Sequence, residues 1–271
     1  MNMFEHVDTR VGGWAWQLER HDRLAMSQAS PIEYIKDWDA ILASEGTNKE
    51  AWMPIEDQGN QGSCRGHSLS TAIEDCIVAS GGPHVQLSRA CGYYETQRID
   101  GIRGDNGSTI EGGCRLAEEV GICLEKDWPY PQRYSPQRPA GYDRVKKYGT
   151  AGHLVMRSAK ECLLHVANVG PLDFGILWTN SLDSQAARDG IVRSYSPRPS
   201  VGGHALAAPC YRLGDWQGKP LPEPGIVIFN SWSPRWGNKG RVIALLSAVD
   251  AMIQERSNIV VGHIPKRTYD L

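Results

Sequence analysis

The order of elements along the chain predicts an α+β fold in two segregated lobes. Three observations carry this. Apolar residues recur at helical spacing before about residue 120, strand-like runs dominate after about residue 170, and the two do not alternate in the βαβ manner that builds a parallel sheet. With 271 residues, either one large domain or two lobes sharing an interface can hold a sizeable core. Its 29 Gly and 16 Pro stay below the share that marks low-complexity disorder, so they act as punctuation between elements. The expected division is a leader and lobe-crossing segment over 1–50, a helical lobe over 51–150 and a β-rich lobe over 151–271, with the binding site in the cleft between lobes.

The first marked element follows the turn-rich Asp57-Gln58-Gly59-Asn60-Gln61-Gly62-Ser63. Leu69, Ala72, Ile73, Cys76 and Ile77 recur at spacings of three and four, which predicts a buried helix from Cys64 to Ser80. Ser63 is placed to cap it, and Gly81-Gly82-Pro83 supplies a left-handed stop followed by a breaker. Further helices are expected over Leu87 to Arg98, Thr109 to Glu119 and Ala159 to Asn168. Strand character marks Leu172 to Trp178, His204 to Tyr211, Gly225 to Asn230, Arg241 to Leu246 and Asn258 to His263. The Pro- and Gly-rich piece from Arg212 to Gly225 reads as a hairpin tip.

Composition narrows the function. Lys and Arg number 29 against 31 Asp and Glu, so no basic excess exists to neutralise phosphates, and nucleic acid is not the expected partner. The first thirty residues carry seven charged side chains among Glu5 to Arg23 and lack the apolar stretch of an export signal. Apolar runs elsewhere are far shorter than a membrane span. Seven cysteines, an odd number without paired spacing, fit thiols kept reduced better than a disulfide framework. A cytoplasmic or virion-associated protein is the expectation.

The chemistry gathers at three places. A cysteine in the first turn of a buried helix has its thiol pKa lowered by the unpaired N–H groups and the helix dipole, and Cys64 has that setting. A thiolate needs an imidazole partner and a group that fixes the imidazole's tautomer. Gly202-Gly203-His204-Ala205 and Phe229-Asn230-Ser231-Trp232 border strand-like runs and supply both. Gln58, six residues before the thiol, offers an amide donor for a tetrahedral oxyanion.

On these residues the chain resembles the papain-like cysteine peptidases. Gln58 to Cys64 is similar to that family's oxyanion-glutamine and nucleophile segment, and Ser68 and Ile73-Glu74 fall where its first helix carries Ser and Ile-Glu. Gly203-His204-Ala205 resembles its histidine segment. Asn230-Ser231-Trp232 with Trp236-Gly237-Asn238-Lys239-Gly240 resembles its Asn-Ser-Trp-Gly block. The chain order Cys, His, Asn agrees, and Cys64 and His204 are separated by about the 130–150 residues expected. Details such as Leu87-Ser88-Arg89, Tyr93-Tyr94, Gly121-Ile122-Cys123 and Trp128-Pro129-Tyr130 resemble bacterial and viral members.

The resemblance implies a helical lobe facing an antiparallel, barrel-like β lobe, with Cys64 as nucleophile, His204 as general acid/base and Asn230 as its orienter. It implies an oxyanion hole from Gln58 and the Cys64 amide, and Trp232 shielding the Asn–His hydrogen bond. Asn106, Gly107 and Ser108 match a glycine-rich wall that pairs with substrate backbone, and Ile110 and Ala205 an apolar pocket. Neither cofactor nor metal is implied; the partner is a peptide or protein substrate.

The chain also departs from the family pattern. Arg65 stands where a bulky aromatic often follows the nucleophile, Gln61 where many members carry a half-cystine, and Ser233-Pro234 where a glycine follows the tryptophan. The step from His204 to Asn230 is longer than usual. Gly13-Trp14 and His21-Asp22-Arg23 faintly resemble the leader of bacterial relatives, which either belongs to the mature fold or blocks the cleft.

Plainer readings apply elsewhere. Cys76, Cys91, Cys114, Cys162 and Cys210 read as small apolar core residues, with Cys123 undecided. His67 shares a helix face with Cys64, whereas a catalytic base must reach across the cleft, so it reads as a packed histidine. Cys162 and His165 share helical spacing without further ligands, which argues against zinc. Gly214 to Pro220 has one residue too few for a phosphate loop. Besides a thiol peptidase, a papain-fold structural or binding protein and a transpeptidase-type acyl transferase fit the same residues.

Overall fold

The computed structural model describes residues 36–44, 46 and 53–269. The expectations for Gly13-Trp14, for 21–23 and for most of the leader lie outside them. Two lobes are present, each with its own core. The helical lobe packs α2 (Cys64–Ala79), α3 (Arg89–Asp100) and α4 (Ile110–Glu119) around Leu69, Ile73, Ile77, Tyr94, Leu116 and Trp128. Helix α2 is buried along nearly its whole length, its polar residues from Arg65 to Asp75 included. It ends as expected, with Gly81 in the left-handed region at φ 81°. Its start differs from expectation: Ser63 makes no side-chain cap, because its Oγ is drawn to the Tyr130 hydroxyl at 2.5 Å.

The β lobe is one seven-stranded sheet in the order β1-β7-β2-β4-β5-β6-β3. Its strands are β1 (Gly152–Val155), β2 (Leu172–Trp178), β3 (Ile191–Val192), β4 (Gly202–Gly214), β5 (Pro220–Phe229), β6 (Arg241–Leu245) and β7 (Ile259–Ile264). All pairings are antiparallel except β3 with β6. Helices α5 (Ala159–Asn168), α6 (Asn180–Asp189) and α7 (Leu246–Gln254) accompany the sheet, and its core gathers Phe174, Ile176, Leu206, Ile228, Val249 and Val260. The expected hairpin tip is present, with β4 and β5 continuing to Gly214 and Pro220 on either side of it.

Each end of the described chain crosses to brace a lobe. Helix α1 (Trp38–Leu42) inserts Ile41 into the β-lobe core, and Ser44 Oγ lies 2.9 Å from the Tyr211 hydroxyl. Residues 53–58 also lie on the β lobe, where Gln58 N donates to Ser231 O at 2.9 Å, before the chain enters α2. In exchange, the C-terminal residues reach the helical lobe: Ser80 Oγ donates to Lys266 O, and Tyr269 OH to Gly149 O at 2.8 Å. Among the described residues no helix is long and apolar enough to cross a membrane, and no cluster of three or more His, Cys, Asp or Glu is arranged to hold a metal.

Candidate active site

The nucleophile segment and the histidine strand meet at the seam between lobes. Cys64 opens α2, is only partly buried, and packs on an apolar cluster of Ile110, Cys114, Ala205 and Val261. The backbone amides of Ala205 and of Arg65 lie close enough to its sulfur to favour the thiolate. Ala205 is the residue after His204 on β4, so its packing against Cys64 brings the histidine strand to the thiol. Ile110 and Ala205, the residues expected to form an apolar pocket, are both in this cluster, with Val155 and Ile259 packed alongside.

Sheet register assembles the histidine's surroundings. Ala207 on β4 pairs with Phe229 on β5, and continuing past both positions sets His204 beside the segment that begins at Asn230. His204 Nε2 lies 2.8 Å from Asn230 Oδ1, and both side chains are buried. The same Oδ1 accepts from Ser231 N at 2.8 Å, which fixes the amide with its oxygen toward the ring. Trp232 stacks on His204 with centroids 4.6 Å apart and planes at 28°, covering the hydrogen bond as expected. Trp178, one strand away on β2, meets the imidazole edge-on at 5.0 Å. Its indole N–H and that of Trp236 donate to opposite oxygens of Asp183, at 3.0 and 3.1 Å, which pins the aromatic cage.

Gln58 is 1% exposed and held at both ends of its amide. Its Oε1 accepts from Ser231 Oγ at 2.6 Å and its Nε2 donates to Gln61 O at 2.8 Å, so the nitrogen faces the nucleophile loop. The wall opposite is also tied down. Asp105 Oδ1 accepts from Gly62 N and from Tyr93 OH, both at 2.8 Å, and Gly107 O accepts from Gln97 Nε2 at 2.9 Å. Asn106 is exposed, and Ser108 is half-buried with no partner for its hydroxyl among the described residues. Gln61, at the half-cystine position, instead accepts from Tyr94 OH at 2.9 Å and donates to Pro131 O at 2.6 Å. Hydrogen bonds replace a covalent bridge there.

The acidity expected of Cys64 is not met. Burial pushes its thiol above the ordinary cysteine value, and the pull of the Ala205 and Arg65 amides and of the Arg65 charge does not offset it. Desolvation of the anion outweighs the helix end. His67 behaves as the packed histidine foreseen: its Nδ1 is 3.0 Å from Ser63 O, its ring meets Tyr130 edge-on, and burial lowers its pKa to about 3. His165 Nε2 sits 3.0 Å from His263 O inside the β lobe. Cys123, undecided from sequence, is buried in the helical-lobe core with Cys91.

Residues missed from sequence are Asp173, Trp178, Asp183 and Tyr130. A lone carboxylate in the apolar run Leu172-Asp173-Phe174 is a signal that marks the first of these; the others depend on long-range packing.

Comparison with known proteins identifies the family and the fold. The profile of papain family cysteine proteases matches residues 41–259. Chicken (Gallus gallus) cathepsin K is 29% identical over 222 residues, covering 78% of this chain and 61% of that protein. Papain from Carica papaya is 26% identical over 223 residues, covering 80% and 59%. The chain therefore spans about six tenths of the length of these curated relatives. Among solved structures, xylellain, a cysteine protease from Xylella fastidiosa, superimposes with a TM-score of 0.65 at 21% identity, over 84% of this chain and 89% of that one. The Carica candamarcensis protease CMS1MS2 in complex with E-64 gives a TM-score of 0.60 at 20% identity, over 83% and 100%. With the family profile covering both lobes and the seam between them, the chain belongs to the papain family of cysteine proteases.

Proposed function

We propose that this protein is a thiol peptidase that hydrolyses peptide bonds through an acyl-enzyme, with Cys64 as nucleophile, His204 as general acid/base and Asn230 as its orienter. The observation that carries the reading is the His204 Nε2 to Asn230 Oδ1 hydrogen bond at 2.8 Å, on the strand whose next residue, Ala205, packs against Cys64. With Nε2 committed to Asn230, Nδ1 is the nitrogen that exchanges the thiol proton. Because burial holds the free thiol neutral, an imidazolium at His204 has to supply the rest of the thiolate's stabilisation.

In the first half-reaction the sulfur attacks the peptide carbonyl, forming the C–S bond. The oxyanion is received by the Cys64 N–H, an amide with no intrahelical acceptor at its position in the first turn, and by Gln58 Nε2. His204 protonates the departing amine as the C–N bond breaks. Water, deprotonated by the neutral imidazole, then attacks the thioester and releases the acid. Asn106, Gly107 and Ser108 form the wall along which substrate backbone lies, and Ile110 and Ala205 meet an apolar side chain of the substrate.

The test is treatment of the native protein with an epoxide or iodoacetamide probe, location of the adduct by mass spectrometry, and assay of peptide hydrolysis. Selective labelling of Cys64 with hydrolysis that the C64S variant loses is the expected result. Labelling of Cys64 only after unfolding favours a structural or binding role instead, and a product that retains an added amine identifies acyl transfer.

A further inference from the structure

Arg65 points away from the mouth of the cleft and into the seam between lobes, where it is fully buried. Its Nη1 is paired with the Asp173 carboxylate of β2 and lies 3.4 Å from Ser68 Oγ. Its Nη2 donates to Ile110 O at 3.2 Å and lies 3.9 Å from Cys114 Sγ. The guanidinium rests on Gly113 of α4: a Cβ there would fall 2.2 Å from Nε and 2.5 Å from Cζ, so only glycine leaves the slot open. Asp173 Oδ2 also lies 3.2 Å from His263 Nε2 on β7. One cation thus joins α2 and α4 of one lobe to two strands of the other.

Stability alone does not account for this device. Burying two charges costs several kcal/mol that their attraction barely recovers, and apolar side chains of similar volume are often as good or better. What the cation adds is its position. Ile110 and Cys114, which it touches, belong to the same apolar cluster as the Cys64 side chain, so its field crosses little water before reaching the sulfur.

The titratable groups facing this region are Arg65 and His67 on α2, Tyr93 on α3, Cys114 on α4, Tyr130 in the loop beyond, Asp173 on β2, His204 on β4 and His263 on β7. Burial raises the acid ranges of Tyr93, Tyr130 and Cys114 and lowers those of His67 and His263, leaving all five neutral near pH 7. Burial works to raise Asp173 as well, yet Arg65 and His263 hold its carboxyl below the usual range and therefore ionised. Apart from the partner His204, the fixed charges in this set are Arg65 and Asp173.

We propose that Arg65 is a positioning residue for Cys64: clamped by Asp173 across the seam and seated on Gly113, it fixes the first turn of α2 in the cleft and presents a buried positive charge to the sulfur, which Asp173 tempers. The inference rests on Cys64 being the nucleophile of a thiol peptidase.

The experiment is the pH dependence of Cys64 carboxamidomethylation by iodoacetamide on the full chain, located by peptide mass mapping, for wild type, R65M, R65K and D173N. R65M is expected to move the midpoint up by about one pH unit and D173N to move it down, while R65K stays near wild type. A role confined to docking the lobes moves R65M and D173N in the same direction or not at all, and either outcome overturns the proposal. If R65M fails to fold, D173N, nearly isosteric, decides: a lowered midpoint supports the proposal, and an unchanged or raised one overturns it. A wild-type Cys64 that resists alkylation in the native state removes the peptidase reading and this inference with it. A reactive Cys64 with hydrolysis intact, indifferent to both charges, removes the inference alone.

Discussion

The two lobes are held together by different physics. In the helical lobe buried polar, directional links run alongside the apolar core: Arg89 is buried between Glu74, at 2.5 Å, and Glu56, at 3.2 Å, and Ser88 Oγ donates to Trp128 O. Three tyrosine hydroxyls reach named acceptors, Tyr93 to Asp105, Tyr94 to Gln61 and Tyr134 to Gln97. In the β lobe the core is apolar and aromatic, built from Phe174, Ile176, Leu206, Ile228 and the tryptophans around His204. The difference follows from what each lobe presents. The loop that leads into the nucleophile helix, Gln58 to Ser63, is fixed by no covalent bridge, so hydrogen bonds to Asp105, Tyr94 and Tyr130 set its path. The β lobe carries its histidine on a strand, where register already places it.

If this contrast is right, breaking one polar link costs the helical lobe more than trimming a core side chain costs the β lobe. Glu74→Ala takes from the buried Arg89 guanidinium its fully buried carboxylate, leaving the partly exposed Glu56 and the more distant Glu125, and removes the acceptor of Leu87 N, 2.7 Å away. The expected loss is about 3–5 kcal/mol, read as a fall in the urea midpoint. A loss of under about 1 kcal/mol would show that the network contributes little and that both lobes are held alike.

Acid should weaken the same lobe. Burial lowers the His67 pKa to about 3, so between the unfolded value near 6.5 and about 3 the unfolded chain binds a proton that the native one does not. Stability is then fully present above about 6.5 and falls with decreasing pH, by up to about 1.4 kcal/mol per unit from this group. His67→Gln is expected to flatten that part of the Tm profile between pH 6 and 4. An unchanged slope would assign the acid sensitivity to carboxylates.

In the β lobe, Ile228→Val removes one methylene from a packed interior and is expected to cost about 1 kcal/mol, the ordinary value for such a deletion. A cost near that of Glu74→Ala would erase the distinction between lobes.

How much was legible in the sequence follows the same division. Helices α2 and α5 and strand β2 fall where apolar spacing put them, because each buries a regular face and is bounded by turn residues. Cys64, His204, Asn230 and Gln58 came from short local motifs, and folding brings their segments to one seam. Helix α6 leaves no apolar signal in the sequence because its residues are mostly polar and its buried face is only Leu182, Gln185 and Ala186. Helix α7 was hidden because β6 runs straight into it at Leu245-Leu246 without glycine or proline. The Gly202–Gly214 and Pro220–Phe229 hairpin runs longer than expected, since Pro220, Pro222 and Pro224 signal a loop yet sit where β5 extends beyond the body of the lobe. The Arg65 to Asp173 pair spans 108 residues, and nothing local to either residue announces the other.

The smallest expected effect lies at the rim of the β lobe. Ser233 occupies φ 66°, in the left-handed region, at the position where the family pattern carries glycine. Holding a side chain there costs about 1–2 kcal/mol. Its hydroxyl recovers little, accepting only a 3.4 Å contact from Arg235 N, while the backbone bond from Ser233 N to Glu56 O, 3.1 Å, does not depend on the side chain. Ser233→Gly relieves the strain but frees the unfolded chain, which offsets about 0.4–1 kcal/mol of the gain. The net expectation is stabilisation by about 0.5–1 kcal/mol in urea unfolding, with alkylation of Cys64 unchanged. A destabilised S233G variant would mean that Pro234 and the segment that follows, through Trp236, set this turn, and that the serine is accommodated without strain. The rim would then be held by local chain stiffness, a third kind of support beside the polar network and the apolar core.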